Sequence, residues 1–181
     1  AAPGAAAMSR IAGSSTEVAI RDFRRRWVPF LSTALAILLA LFPVVMHSPL
    51  LPDFGFLIVL TWRLLRPEIW PAQLGLAFGL FADLVSGHPL GQAMLLWTVT
   101  FLALDYVDYR LGFRDFWMDW LLAAAALAFH GFGVWYIALL MGSETMFTVM
   151  LPQLALSILV YPLAARLVLG LDRWRLGGAS R

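Results

Sequence analysis

Gly75 to Gly91 reads GLAFGLFADLVSGHPLG, an apolar helix carrying one carboxylate, then a turn, then the start of a second helix. Residues four apart share a helix face, so Gly75, Gly79, Asp83 and Gly87 form one row. Three of the four have no side chain. A face this bare admits a neighbouring backbone at close range and puts Asp83 in the groove where that neighbour lies. Gly87 suits the left-handed residue that ends a helix, and Pro89 suits the first position of the next. The stretch therefore predicts a tight antiparallel hairpin of two helices.

The rest of the chain has the composition of a bilayer protein. It is 61% hydrophobic and 13% charged, with a mean hydropathy of +0.81, where soluble domains run at roughly 45–50% apolar and about 25% charged. Its 181 residues give room for about six spans of ~20 residues each, leaving nothing for a separate soluble catalytic domain. The expected fold is an all-α polytopic membrane protein of six transmembrane helices. The basic residues are all arginine and outnumber the acids by only two, which argues for no nucleic-acid partner. With no cysteine, disulfides, thiolate nucleophiles and thiolate metal sites are excluded.

Ala1 to Arg26, with Met8 as a candidate start, is read as a flexible cytoplasmic leader rather than a signal peptide. Residues 27–169 form the six-helix domain, and residues 170–181 a basic cytoplasmic tail. Span one runs from Trp27 to Met46 and closes on Pro43, His47, Ser48 and Pro49. Span two covers at most Leu50 to Leu65, which rises only ~24 Å, so it must be wrapped by protein or helped by Arg63 reaching to the interface. After Pro67 and Pro71 come span three (Ala72 to Val85), span four (Pro89 to Tyr106), span five (Phe116 to Met141) and span six (Met146 to Leu169).

The arginines test this count. Arg10, Arg21, Arg24, Arg25 and Arg26 precede span one; Arg63 and Arg66 follow span two; Arg110 and Arg114 follow span four; Arg166, Arg173, Arg175 and Arg181 end the chain. The other connections carry only His47, Asp53, His88 and Glu144. Six spans put every arginine on one side, which the positive-inside rule makes the cytoplasm, with both termini there. Removing any one span scatters the pattern.

A carboxylate inside a span is a functional hypothesis by default. Asp83 lies near the outer end of its helix, where the unpaired N–H groups starting the next helix give it a structural use as a hairpin cap; a proton relay or a ligand contact are the alternatives. His130, mid-span and followed by Gly131 and Gly133, reads as a hydrogen-bonded packing residue, since no metal spacing accompanies it. Gln153, Ser157 and Tyr161 make a polar stripe suited to interhelical hydrogen bonds. Asp105, Asp108, Asp115 and Asp119 cluster around Arg110 and Arg114 as a surface ion-pair network. No nucleophile elbow, phosphate loop or dinucleotide fingerprint is present, so neither catalysis nor a cofactor is expected.

Pro52-Asp53, the run Phe56 to Trp62, Arg66-Pro67, and Gly75-x-x-x-Gly79-x-x-x-Asp83-x-x-Ser86-Gly87-x-x-Leu90-Gly91 together resemble the bacterial rod shape-determining MreD family. The strongest part covers Pro52 to Gly91, and Tyr161-Pro162 is similar to an aromatic–proline pair late in the family's last span. The Ala-rich leader and Arg63 depart from the family pattern. The resemblance implies a non-enzymatic inner-membrane scaffold of the cell-elongation machinery. It would partner MreC and, through it, MreB filaments, RodA and a class B penicillin-binding protein. It also implies a fold similar to the substrate-binding subunits of energy-coupling-factor transporters. Bare faces at Gly75 and Gly79, or from Ala123 to Ala126, are the expected docking surfaces for a partner helix. Membrane lipids and a second copy of the chain are the further candidate partners. The competing reading is a vitamin-like solute-binding subunit, with Asp83, His88, Glu144 and Gln153 converging on an outer pocket.

Overall fold

A computed structural model describes residues 15–41, 51–111, 115–144 and 146–177. Among them lie six α-helices: α1 (Ser15–Leu38), α2 (Phe54–Leu65), α3 (Ala72–Ser86), α4 (Gln92–Arg110), α5 (Phe116–Leu140) and α6 (Leu151–Leu176). Short 3₁₀ turns extend α1 and precede α3 and α6.

The boundaries depart from expectation mainly at the arginine-bearing end. α1 begins at Ser15, inside the stretch read as a flexible leader, so Arg24, Arg25 and Arg26 ride on a helix. α6 continues to Leu176, through residues read as a tail. It is held there because Asp172 and Arg175 are buried and bonded rather than solvated. α4 starts at Gln92 rather than Pro89 and runs to Arg110. The closing turn expected at Pro43, His47, Ser48 and Pro49, and Met8, Arg10, Arg114 and Arg181, lie outside the described residues.

α2 is the axis of the bundle. Phe56, Leu57, Val59, Leu60 and Trp62 are buried, and α1, α5 and α6 pack around it. Its twelve residues rise only ~18 Å, well short of a ~30 Å hydrocarbon core. A helix enclosed on all sides by protein has no lipid to match, which accounts for its length. Asp53 starts it, accepting the Phe56 N–H at 3.0 Å in an N-cap that satisfies one orphan donor.

The outside of the bundle is apolar. α5, and α6 with its preceding turn, are long and apolar enough to cross a membrane by length and composition. Only 22% of the most apolar window of each is buried, so these are not core helices of a soluble protein. Leu31 and Leu35 on α1, Leu76, Leu80 and Leu84 on α3, Leu95 and Leu102 on α4, and Phe129 and Phe132 on α5 are likewise exposed. That much exposed hydrocarbon suits lipid rather than water.

Candidate functional site: the hairpin clasp and the two ends of the bundle

The α3–α4 hairpin is closed by glycine on one side and a carboxylate at its end. Gly79 lies against the α4 backbone: a Cβ added there would fall 2.6 Å from Met94 Cα and 2.7 Å from Met94 N. Gly75 meets Trp97 O and the Phe101 ring, each 3.2 Å from its built Cβ. The chain then turns through Gly87 (φ 67) and Gly91 (φ 98), both in the left-handed region that disfavours a side chain. Asp83, 1% exposed, accepts from the N–H groups of Gly91 at 2.9 Å, Ala93 at 2.8 Å and Met94 at 3.3 Å. The carboxylate thus satisfies the first turn of α4 and meets the positive end of its dipole. Asp83→Ala leaves those donors without an acceptor in an apolar setting, and we expect a loss of about 2–3 kcal/mol. Asp83→Asn keeps one acceptor and is expected to lose roughly half as much. Thermal unfolding in detergent, followed by far-UV circular dichroism, measures both.

These contacts correct the expected docking faces. Gly75 and Gly79 are covered by the protein's own α4, and Ala123 and Ala126 are buried inside the bundle. None of the four is open to a partner. Of the other motif residues, Pro52 is buried just before the Asp53 cap, Pro67 opens the turn ahead of α3, and Leu90 is exposed at the hairpin tip.

At the arginine end, among the described residues, Asp105 and Asp108 bind Arg63, a partner the expected Arg110–Arg114 network did not include: Arg63 Nη1 donates to Asp108 Oδ2 at 2.9 Å and Nη2 to Asp105 Oδ1. Arg63 does not reach to the interface, because its side chain is 1% exposed. Arg110 lies over the Tyr106 ring, and Asp115 sits at the start of α5 without a side-chain cap bond.

A second clasp ties α2 to both chain ends. Arg66 donates to Asp172 Oδ2 at 2.6 and 3.1 Å, Arg175 Nε donates to Asp172 Oδ1 at 2.7 Å, and Arg175 Nη1 donates to Arg25 O at 2.7 Å. Arg24 stacks over Trp174 in the same region. Arg24, Arg25, Arg63, Arg66 and Arg175, drawn from three helices and a loop, therefore meet at one end.

The opposite end carries the remaining polar groups. Asp53 Oδ2 lies 3.4 Å from His130 Nε2, and the imidazole stacks on Phe56 with ring centroids 4.1 Å apart. Gln153 Nε2 donates to Leu51 O at 2.8 Å, and Ser157 Oγ donates to Gln153 O at 2.7 Å. Tyr161, one turn further on, is buried. A cavity of about 600 Å³ opens here, bordered by His88, Gln153, Asp53 and His130. Asp83 and Glu144, expected to share a pocket with His88 and Gln153, do not line it: Asp83 is spent on backbone donors, and Glu144 is exposed past the end of α5. Asp53 was legible only as a loop acid, since its partner is far along the chain.

Comparison with known families settles the class. The model of the rod shape-determining protein MreD matches residues 21–171. The chain belongs to the MreD family. The match takes in α2 to α5 complete and most of α1 and α6, so the glycine hairpin, the Arg63 cluster and the cavity beside His130 all lie within it. No curated protein and no solved structure matches the chain. As a member of the MreD family, this all-helical membrane protein has a role in rod shape determination.

Proposed function

We propose that the chain is a non-enzymatic scaffold of the bacterial cell-elongation complex. It crosses the inner membrane six times with both termini in the cytoplasm and binds MreC. The observation that carries this reading is the separation of charge. Five described arginines meet at one end, while the other end holds Asp53, His88 and His130. That polarity is what the positive-inside rule produces for an even number of crossings.

Three of the polar groups inside the bundle, Asp83, Ser157 and Arg63, are engaged in architecture, which supports a scaffold over an enzyme. Asp83 is saturated by backbone donors, Ser157 gives its proton to a helix carbonyl, and Arg63 is consumed by two aspartates. MreC would dock on the lipid-facing ridges, since Gly75, Gly79, Ala123 and Ala126 are covered from within. Contact with MreB, RodA and a class B penicillin-binding protein follows through MreC. A likeness to energy-coupling-factor subunits is not carried into this reading, because no solved structure matched.

Affinity capture from native membranes tests it. MreC should be recovered with the elongation synthase, and depletion should round a rod-shaped host. Recovery of an ATPase module in place of MreC, with cell shape unchanged, rejects the scaffold.

A further inference from the structure

The cavity at the outer end is used neither by the hairpin clasp nor by the scaffold reading. At about 600 Å³ it falls within the range of small-molecule sites, which join mostly apolar walls to a few placed polar groups. Ile37, Leu127, Val134 and Leu154 supply the apolar wall. An opening of this size, beside an α2 whose residues are mostly buried, stands apart from the close packing of an interior.

The polar lining has a definite bias. Ser157 has given its one proton to Gln153 O, so its oxygen offers only lone pairs to the cavity. Gln153 has used an amide hydrogen on Leu51 O, leaving its Oε1 as an acceptor. Asp53 is a carboxylate with one oxygen on the Phe56 N–H and the other beside His130. Gln92 adds an amide able to give and accept. Among the described lining residues, Asp53, Gln153 Oε1 and Ser157 Oγ thus form an acceptor side, and Ser86, His88 and the amide nitrogens are the donors around it. Among the described residues no arginine borders the cavity, and the chain has no lysine, so a phosphate or carboxylate entering it would meet only the imidazoles of His88 and His130 as cations.

Gly131 shapes the space. It lines the cavity from the middle of α5, and a Cβ built there meets nothing within 4 Å. Glycine inside a helix lowers its stability, and no neighbouring backbone requires it at this position, in contrast to Gly79. Its effect is to keep the pocket open beside His130.

We propose that this cavity is a binding site for a small non-anionic molecule rich in hydrogen-bond donors, an amine or alcohol on a compact apolar body. Its donors meet Asp53, Gln153 Oε1 and Ser157 Oγ, and its body lies against Ile37, Leu127 and Leu154. Occupancy is a property of the isolated protein, so its failure and the failure of MreC capture are separate results.

The test uses the full chain purified from native membranes in mild detergent, beside Gly131→Phe, which fills the pocket and is expected to melt no lower than wild type. Tryptamine, tryptophol and indole-3-acetate share a ring system and differ in charge. The amine and alcohol should raise the wild-type melting temperature in a saturable way, the acid should not, and Gly131→Phe should respond to none. Mass spectrometry of the denatured wild type should release a small non-anionic molecule that Gly131→Phe lacks. Three results overturn the proposal: no released molecule together with no response to any probe, equal response in the two proteins, or phospholipid as the only occupant of both.

Discussion

Gly79→Leu is expected to abolish the folded bundle, and even Gly79→Ala to destabilise it severely. The atoms that a Cβ at this position would strike are Met94 Cα, Met94 N and Ala93 C, at 2.6, 2.7 and 2.8 Å. All are backbone, so no rotamer change relieves the clash. The only escape is to part α3 from α4, which also pulls Asp83 from the N–H groups of Ala93 and Met94. Overpacking alone costs about 1–3 kcal/mol, and the lost cap adds about 2 kcal/mol. Gly75→Ala is milder, because its neighbours stand at 3.2 Å and include the Phe101 ring, which can shift. Gly87→Ala meets no atom within 4 Å and pays only for left-handed backbone, about 1–2 kcal/mol. The expected order of damage is Gly79 well above Gly75 and Gly87. Monodisperse yield in detergent and melting temperature measure it; a normal Gly79→Ala protein would show that the hairpin is looser than described.

The second large effect concerns Arg63. Its side chain is 1% exposed, whereas those of Asp105 and Asp108 are 48% and 24% exposed. The partners are therefore unequal. Replacing both acids, as in the double variant D105N/D108N, strands a guanidinium in the interior, which we expect to cost about 3–5 kcal/mol. Each single change leaves the other carboxylate in place, and with water reaching both acids it is expected to cost about 1 kcal/mol or less. The double loss should exceed the sum of the singles, a coupling that a double-mutant cycle reads directly. Arg63→Met should be milder than the double variant, since the acids it releases are already partly hydrated. Additive losses would mean that the arginine is not confined as the structure has it.

Part of this architecture was legible in advance for a local reason. Glycine, aspartate and turn residues spaced along the Gly75–Gly91 segment act on neighbours within the same hairpin, so spacing alone brought Asp83 to the next helix start. The row's orientation was legible too, but not that α4 of the same chain fills it. The pairings that escaped are long-range. Arg63 is separated from Asp105 and Asp108 by four helix ends, and Asp53 from His130 by most of the bundle. Helical periodicity cannot say which distant helix lies opposite. The shortness of α2 was a signal of burial, and a lone arginine at the end of so short a span called for an acidic partner rather than a route to the interface. Asp172 in an arginine-rich tail carried a similar hint, because an acid among arginines is placed to clasp.

The central claim is the direction of the bundle: arginine clasps on the cytoplasmic side, cavity and Asp53–His130 pair outside. The absence of cysteine makes it directly measurable with single cysteines at exposed positions, Glu68→Cys and Tyr109→Cys at the arginine end and His88→Cys and Glu144→Cys at the other. A membrane-impermeant maleimide applied from the outer face of the inner membrane, in intact spheroplasts, should label His88→Cys and Glu144→Cys. It should reach Glu68→Cys and Tyr109→Cys only after the membrane is opened. Labelling of Glu68→Cys in sealed spheroplasts, or of all four from one side, would contradict six crossings with both ends inside.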